Sequence, residues 1–255
     1  MGTVLVTGAT GTLGEAVVPL LVAAGHDVRA MTRRPARARR LSAAGATPVV
    51  ADLLATGGAG ADLREALRGV DHVLHLASSA RRDARRTEVD GTAALLAARH
   101  DAAPQALVTY LSIVGCDRTP LAYYRAKTDA EGLVRASPRA RVVRATQFHA
   151  LLASMVKVAP GLSRAMVPAG WLFQPVDVVD VAAVLAHLDD GLPAQIGGPE
   201  VITFEEVARR QTGLGVLAVP VPGRLSAAVR GGSLLAGPEA VHGTARFPRC
   251  GQAGR

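Results

Sequence analysis

The chain has 255 residues, of which 49% are hydrophobic and only 3% aromatic, and it carries a formal net charge of +8 at neutral pH. The length suits one α/β domain, the apolar fraction argues against disorder over most of the chain, and the lack of an 18-residue apolar run argues against a membrane span. The positive charge lies in arginine clusters without stacking aromatics or a recognition motif, so we predict no nucleic-acid partner.

Apolar runs alternate with segments of helical periodicity along the first 147 residues. They predict six strands, at residues 3–8, 27–33, 47–52, 71–78, 106–112 and 140–146. Helices are predicted between them, at residues 13–25, in the arginine-rich stretch that closes at Gly45, and at 60–69, 87–100 and 121–137. Buried strands separated by helices of this length are typical of a parallel sheet covered on both faces. Right-handed crossovers then give a Rossmann-type, doubly wound α/β fold.

The pattern loosens after residue 147. Residues 148–166 predict a helix and a loop, and residues 177–191 predict a helix capped by Asp177. The stretch "TFEE" at 203–206 is a capping box that starts at Thr203. We expect residues 148–228 to form a small substrate lobe on the same domain. The remaining tail, 229–255, is rich in glycine, proline and arginine and is expected to be partly disordered.

A glycine-rich turn joins the first strand to the first helix. In "VLVTGATGTLG", Gly8 would allow a tight turn, Gly11 a close approach of a diphosphate, and Gly14 tight packing of helix on sheet. Free N–H groups at the start of that helix would meet the phosphates. Residues 1–147 are therefore predicted to be an NAD(P)-binding core, with the alternative that the glycines only turn the chain. The residues between the glycines complete this part of the site, namely Thr10, Thr12 and Leu13.

The choice of coenzyme is predicted from the end of the second strand. NAD-binding domains usually place an acidic residue there, but this chain has Arg33 and Arg34. Arginine pairs well with a 2′-phosphate, so NADP(H) is favoured over NAD(H). The alternative is that both arginines belong to the solvated cluster that follows. Residues ending the next two strands complete the predicted site, with Asp52 and Leu53 at the adenine and Ala77 and Ser78 at the nicotinamide ribose.

These residues resemble the short-chain dehydrogenase/reductase superfamily, in particular its atypical, NmrA-like branch. The resemblance covers about residues 1–225 and rests on "TGATGTLG", "ADL", "VDGTAALLAA", "RATQFH" and "VDVVDVA". It also rests on Tyr123 and Lys127, which are spaced as YxxxK in "LAYYRAK". The resemblance implies that Tyr123 is the acid–base catalyst and that Ser112 orients the substrate oxygen. Lys127 would favour the phenolate of Tyr123 and hold the ribose, since positions i and i+4 share a helix face.

Some features depart from the family pattern or leave alternatives open. Ser112 precedes Tyr123 by slightly fewer residues than usual, and Asp90 stands where many relatives place asparagine. Lys127 could instead be an exposed lysine beside a packing tyrosine, and Tyr124 is a rival for the catalytic role. His149 either faces the nicotinamide or is satisfied by the backbone. Two aromatic residues either line the substrate pocket or pack in the core, namely Trp171 and Phe173.

The leading hypothesis is an NADPH-dependent oxidoreductase that acts on a small, apolar carbonyl or quinone compound. A second hypothesis is a non-catalytic NADP-binding regulator, and a third is an isomerase, epimerase or dehydratase that retains its nucleotide. Cys116 and Cys250 lie far apart and lack metal-ligand spacing, so two thiols in a reducing cytoplasm and no metal site are expected. The only predicted partner is a small-molecule substrate, and the oligomeric state is open.

Overall fold

The computed structural model describes residues 1–55, 59–80, 83–158, 163–188 and 191–250. The chain forms two compact units. The first comprises Met1–Ser112, Arg125–Val143 and Ala182–Leu192, and the second comprises Ile113–Tyr124, Arg144–Val181 and Pro193–Arg255. The division of the chain into a core, a substrate lobe and a tail stays a prediction.

The first unit is built on a sheet of six strands. They are β1 (Thr3–Thr7), β2 (Asp27–Thr32), β3 (Thr47–Val50), β4 (His72–His75), β5 (Leu107–Ile113) and the start of β6 (Ala140–Ala145). Their order is β3-β2-β1-β4-β5-β6, and β1 runs parallel to β2 and β4, as β2 does to β3 and β4 to β5. The order reverses direction at β1, which is the arrangement of the Rossmann-type doubly wound fold. The predicted fold class is confirmed.

Helices connect these strands where the periodicity predicts them. They are α1 (Thr12–Ala23), α2 (Ala38–Ala43), α3 (Ala59–Leu67), α4 (Gly91–Ala102) and α5 (Ala122–Ala136), the last of which starts in the second unit. Two details differ from the prediction. The arginine-rich helix is shortened by a 3-10 turn at Pro35–Arg37, and α4 is preceded by a π-helical turn at Arg86–Asp90.

The core of the first unit consists of aliphatic side chains from both layers. Leu5 of β1, Val73 of β4 and Val108 of β5 are fully buried. Leu67 of α3 and Leu95 of α4 pack in the same cluster. Each fully buried leucine or valine contributes roughly 1.5–3 kcal/mol of transfer free energy, so the core forms with almost no aromatic residues.

The second unit contains the last two residues of β6 and several shorter strands and helices. Arg144 and Ala145 pair in parallel with β9 (Gln195–Gly197), which pairs with β12 (Val241–His242). Two further pairs are β7 (Arg164–Pro168) with β11 (Gly215–Val219) and β8 (Leu172–Phe173) with β10 (Ile202–Thr203). The helices are α6 (His149–Met155), α7 (Val178–Ala186, continuing into the first unit), α8 (Phe204–Thr212) and α9 (Arg224–Arg230).

Both helix caps in this part of the chain are confirmed. Asp177 accepts a hydrogen bond from the N–H of Val179 at 2.8 Å, and Thr203 accepts one from the N–H of Glu206 at 3.2 Å. The side chain of Glu206 bonds to Arg209 and Arg210. The capping of α8 therefore depends on the Thr203 hydroxyl.

The described part of the tail has definite contacts. The carboxylate of Asp180 accepts hydrogen bonds from the N–H groups of Thr244 and Ala245 at 2.9 and 3.0 Å. The side chain of Phe247 is buried, and its N–H donates to Glu200 at 3.1 Å. Residues 251–255 lie outside the described residues, and partial disorder of the tail stays a prediction.

The described ranges contain neither a membrane-spanning helix nor a metal-ligand cluster. No helix there is both long and apolar enough to cross a bilayer, and no three His, Cys, Asp or Glu side chains converge as metal ligands. Cys116 is buried and Cys250 is exposed, and neither takes part in a disulfide within these ranges.

Candidate functional site

The turn between β1 and α1 requires glycine at two positions. Gly8 has a φ of +68°, and a Cβ there would lie 2.7 Å from the backbone of Leu76 and Ala77. A Cβ on Gly14 would lie only 2.4 Å from the carbonyl oxygen of Gly8. Any larger residue at either place would push the turn away from its neighbours. The backbone of the turn and the backbone of the first helix are therefore in direct contact, with no room for a side chain between them.

The start of α1 exposes backbone donors at this turn. The helix begins at Thr12, and its N-cap residue, Gly11, provides no side-chain cap. The first intrahelical hydrogen bond runs from the N–H of Glu15 to the oxygen of Gly11, at 2.9 Å. The N–H groups of the three preceding residues have no acceptor inside the helix, so they present the positive end of α1 to an anion. The turn thus fits a diphosphate group.

A cleft of about 380 Å³ opens over this turn. It is lined by nine of the residues that the sequence assigns to the cofactor, namely Gly8, Thr10, Gly11, Arg33, Arg34, Asp52, Leu53, Ala77 and Ser78. The lining also includes residues that were not predicted, among them Arg37 and Thr87. Thr12, Leu13, Gly14 and Lys127 do not belong to the lining.

Arginine side chains form the rim of the cleft beside β2. Arg33 and Arg34 are exposed, and Arg37 donates to the carbonyl oxygen of Thr10 at 3.0 Å. Arg37 ends the 3-10 turn that follows Arg34, and the N–H of Arg37 donates to the carbonyl oxygen of Arg34 at 2.9 Å. This i, i+3 spacing is the signal by which Arg37 could have been found in the sequence. Asp52 accepts a hydrogen bond from the N–H of Leu54 at 3.1 Å, which shapes the floor of the cleft.

A buried hydrogen-bond chain supports the backbone that borders the cleft at the end of β4. The hydroxyl of Thr7 accepts from the N–H groups of Leu76 and Ala77, both at 3.2 Å, and lies 2.7 Å from Nδ1 of His75. Because the hydroxyl accepts twice, it donates its own proton to Nδ1. The proton of His75 is therefore on Nε2, which lies 3.1 Å from the hydroxyl of Thr92. This chain ties β1, β4 and α4 together behind the cleft.

The histidines of β4 are held neutral. Burial, and then the positive charge of Lys127, lower the pKa of His75 to about 4, against an opposing effect of Glu88. Burial and the nearby Arg141 lower the pKa of His72 to about 4, and its Nε2 lies 2.8 Å from the hydroxyl of Thr109. Near neutral pH both rings act only as hydrogen-bonding partners.

A buried carboxylate, Glu88, lies in the π turn before α4. Its Oε1 accepts hydrogen bonds from the hydroxyl of Ser78 at 2.6 Å and the N–H of Ser79 at 2.9 Å. Its Oε2 accepts from the hydroxyl of Tyr110 at 3.0 Å and forms an ion pair with Nζ of Lys127 at 3.1 Å. Burial alone would raise the pKa of Glu88, but Lys127 and the hydrogen bonds from the two serines hold it below its usual value.

The lysine of the YxxxK pattern is therefore engaged inside the first unit. Lys127 is 3% exposed, and its ammonium also donates to the carbonyl oxygen of Leu111 at 3.0 Å. The ammonium lies 4.6 Å from the centre of the Tyr110 ring, within the range of a cation–π contact. Of the two readings of Lys127, an exposed lysine is wrong. Its roles toward Tyr123 and the ribose stay predictions.

Comparison with known proteins identifies the family. Residues 8–142 match the model of the NAD(P)H-binding family. The chain belongs to this family. This family agrees with the NAD(P)-binding core that the sequence predicts over residues 1–147.

Individual relatives in this family are more distant. A ketoreductase of Stigmatella aurantiaca, which acts on a farnesylated dihydroquinoline oxide, is 38% identical over 108 residues. That alignment covers 40% of this chain and 31% of the relative, so the match spans less than a third of the relative's length.

Two solved structures share the fold of this chain. The NADPH-dependent quinone oxidoreductase of Escherichia coli, complexed with NADPH, has a TM-score of 0.70 at 22% identity, with 91% of this chain and 88% of that one covered. The triphenylmethane reductase of a Citrobacter species, complexed with NADP(H), has a TM-score of 0.72 at 18% identity, with 92% of each chain covered.

The remaining residues that the family resemblance assigns to catalysis belong to different units. Ser112 is buried at the end of β5 in the first unit. Tyr123 is half-buried in the second unit, where it packs on an apolar cluster and its ring centre lies 5.9 Å from that of Tyr124. Burial raises the pKa of Tyr124 to about 12, so this rival phenol stays protonated near neutral pH. The catalytic roles stay predictions.

Other residues of the second unit that the sequence singles out make structural contacts. His149 lies 3.3 Å from Asp177 and from the carbonyl oxygen of Pro175, as expected for a histidine satisfied by its surroundings. Trp171 donates to the hydroxyl of Ser226 at 2.8 Å, and Phe173 is buried in the apolar cluster.

Proposed function

We propose that the protein binds NADP(H) in the first unit and uses NADPH to reduce a small, apolar carbonyl or quinone compound. The observation that carries the coenzyme choice is the rim of Arg33, Arg34 and Arg37 beside β2. A 2′-phosphate on the adenosine ribose would meet two or three guanidinium groups there, and each can form charge-assisted hydrogen bonds.

The chain's own residues divide the work of holding the coenzyme. The N–H groups at the start of α1 would bind the diphosphate, with Gly8 and Gly14 keeping helix and turn in place. Asp52 and Leu53 would flank the adenine. Ala77, supported from behind by the Thr7–His75 chain, would border the nicotinamide ribose together with Ser78. Five of these residues line one cleft, namely Gly8, Asp52, Leu53, Ala77 and Ser78.

The proposed chemistry needs little from the protein besides position and a proton. The coenzyme, when bound, supplies a hydride. The hydroxyl of Tyr123 would give its proton to the carbonyl oxygen of the substrate, and the hydroxyl of Ser112 would orient that oxygen. The substrate class is supported by the ketone and the quinone that the names of the two relatives give, the first of which carries an apolar farnesyl chain.

One observation favours a second candidate, a regulator that binds NADP(H) without turnover. The resemblance expects the ammonium of Lys127 to act on Tyr123, but that ammonium is paired with the buried Glu88. A protein that only binds the coenzyme would need the glycine turn and the arginine rim, and it would tolerate this pairing.

The coenzyme choice is tested with Arg33→Ala/Arg34→Ala. Because hydrogen bonds to charged groups contribute about 1.5–3 kcal/mol each, we expect the Kd for NADPH to rise roughly 100-fold and that for NADH by less than about threefold. The matched control is Arg64→Ala/Arg68→Ala, which removes the same charge from exposed side chains away from the cleft. Isothermal titration calorimetry measures both coenzymes, and equal losses for NADPH and NADH would contradict the proposal.

The reductase and the regulator are distinguished with Tyr123→Phe. NADPH oxidation is followed with a panel of quinones and cyclic ketones. For the reductase, the variant should lose about 10²–10⁴ in kcat while its Kd for NADPH is unchanged. The control is Tyr124→Phe, which removes the adjacent phenol and should keep its activity. Tight NADPH binding by the wild type without turnover on any compound would favour the regulator.

A further inference from the structure

The carboxylate of Glu88 touches two parts of the first unit that meet the cleft. It lies one residue after Thr87 and bonds to Ser78, and both of these line the cleft. Its other oxygen bonds to Lys127, which lies on α5. No feature of the sequence had assigned Glu88 to the site.

We propose that Glu88 is a positioning residue of the cofactor site, which fixes the loop after β4 and holds the ammonium of Lys127 beside it. This inference rests on the NADP(H) site proposed above. It concerns the nicotinamide side of the cleft, whereas the arginine rim concerns the adenosine side.

The first argument is that the carboxylate is fully satisfied. An ionised carboxylate has about four acceptor positions, two on each oxygen. Glu88 receives four donors, two on Oε1 from Ser78 and Ser79 and two on Oε2 from Tyr110 and Lys127. With 0% of its surface exposed, it cannot exchange any of them for water. The carboxylate therefore fixes the relative positions of these four groups.

The second argument is that the hydrogen bond to Glu88 decides whether the hydroxyl of Ser78 can donate to a ligand or accept from it. An ionised carboxylate can only accept, so the hydroxyl of Ser78 donates its proton to Glu88. Toward a molecule in the cleft, Ser78 can then act only as an acceptor. Such an acceptor suits a ribose hydroxyl or a carboxamide N–H, the donors that the nicotinamide half of a dinucleotide carries.

The third argument is the charge balance around Lys127. Within the described residues, the titratable groups that face its ammonium are Glu88 in the π turn, Tyr110 on β5 and His75 on β4. The low pKa of His75 keeps its ring neutral near pH 7, and Tyr110 donates its hydroxyl proton to Glu88, so Glu88 supplies the compensating charge. Without it, a buried ammonium would stand unpaired, which is strongly unfavourable.

The test uses the fact that the chain has two lysines, Lys127 and Lys157. Protein labelled with ¹³C at the lysine Cε gives two side-chain signals, and the exposed Lys157 serves as the internal reference. In Glu88→Gln, the titration midpoint of the Lys127 signal should move to lower pH, because the negative charge paired with the ammonium is gone. The Lys157 midpoint should not move. An unchanged Lys127 midpoint would overturn the proposal.

Coenzyme affinity is measured on the same variants. The Kd for NADPH should rise at least about tenfold in Glu88→Gln, since the amide of glutamine must place an N–H₂ group against one pair of donors. The matched control is Glu131→Gln, which changes another buried carboxylate, paired with Arg135 at 2.8 Å on α5. It should leave both the Lys127 titration and the NADPH affinity as in the wild type. Wild-type affinity in Glu88→Gln would overturn the proposal.

A double variant covers the case in which Glu88→Gln does not fold. Glu88→Gln/Lys127→Met removes both charges and leaves no unpaired one. It should fold and bind NADPH at least about tenfold more weakly than the wild type, whereas wild-type affinity would overturn the proposal. Wild-type protein that binds neither coenzyme would overturn the proposed function itself. Wild-type binding with unaffected variants would overturn only the role of Glu88.

Discussion

Replacing Gly14 by alanine should open the turn that we propose for the coenzyme diphosphate. The new Cβ would lie 2.4 Å from the carbonyl oxygen of Gly8 and 2.6 Å from Cα of Ala9, whereas ordinary contact begins at 3.4 Å. The start of α1 must then withdraw by about 1 Å, which takes its N–H groups out of hydrogen-bonding range. Loss of two hydrogen bonds to a charged group, at about 1.5–3 kcal/mol each, corresponds to an increase of roughly 100-fold or more in the Kd for NADPH.

Gly132→Ala is the matched control for this substitution. Gly132 also lies inside a helix, α5, but apart from its chain neighbours and the backbone of its own helix, no described atom lies within 4 Å of the position its Cβ would take. Alanine there should stabilise the protein by about 0.8–1 kcal/mol through helix propensity alone. In Gly14→Ala the same gain is opposed by an overpacking cost of about 1–3 kcal/mol. Calorimetry with NADPH and unfolding in urea measure both effects. Wild-type affinity in Gly14→Ala would refute the assignment of this turn to the diphosphate.

Three further predictions concern stability. Burial lowers the pKa of His72 and His75 from 6.5 to about 4, so the unfolded chain binds these two protons more readily than the folded chain does. The free energy of unfolding should therefore fall as the pH is lowered from 6.5 to 4, by on the order of 3 kcal/mol for each histidine. Measured by urea unfolding, His72→Gln should lose less stability over this pH range than the wild type, and an equal loss would contradict the burial effect. Arg99 is 1% exposed and donates to three oxygens at 2.7–3.1 Å. Replacing it by lysine should lower the free energy of unfolding by about 2 kcal/mol and leave the affinity for NADPH unchanged. Thr203→Ala should lower the free energy of unfolding by about 1 kcal/mol, because the N–H of Glu206 loses its hydrogen bond to the Thr203 hydroxyl. Thermal unfolding measures this loss, and an unchanged stability would mean that water replaces the hydroxyl.

The elements of the first unit could be predicted because their signals are local. A buried parallel strand is an uninterrupted apolar run, such as "TVLVT" in β1, and helices such as α1 end just before a glycine with positive φ, here Gly25. Right-handed crossovers then favour a doubly wound sheet, although they do not fix the order of its strands. The glycine turn was visible for the same reason, since Gly8, Gly11 and Gly14 lie within one strand–turn–helix unit, and its role toward a diphosphate stays a prediction.

Glu88 could not be predicted, because its role depends on distant partners. In the sequence it is one glutamate in a helical stretch, and nothing nearby distinguishes it from a solvated side chain. Its partner Lys127 lies on α5, and the two meet only because β4 and β5 are neighbours in the sheet. The π turn that contains Glu88 has no recognisable residue pattern either.

The small strands of the second unit were missed for a related reason. β9 and β12 have three and two residues, too few to show an alternating pattern. Their pairing depends on hydrogen bonds across more than forty residues of sequence, together with contacts such as those of Asp180 with Thr244. Composition alone suggested only a glycine- and proline-rich tail.

The uneven charge of the cleft has a kinetic consequence. Arg33, Arg34 and Arg37 present positive charge at the rim beside β2, while near Ser78 the charge of Lys127 is cancelled by Glu88. In the orientation that we propose, an approaching dinucleotide phosphate would be attracted to the rim before the nicotinamide end made contact. Such steering raises the association rate and weakens as ionic strength screens the field. Added salt should slow the encounter much more than it speeds the release, so the rim would govern how fast the coenzyme arrives.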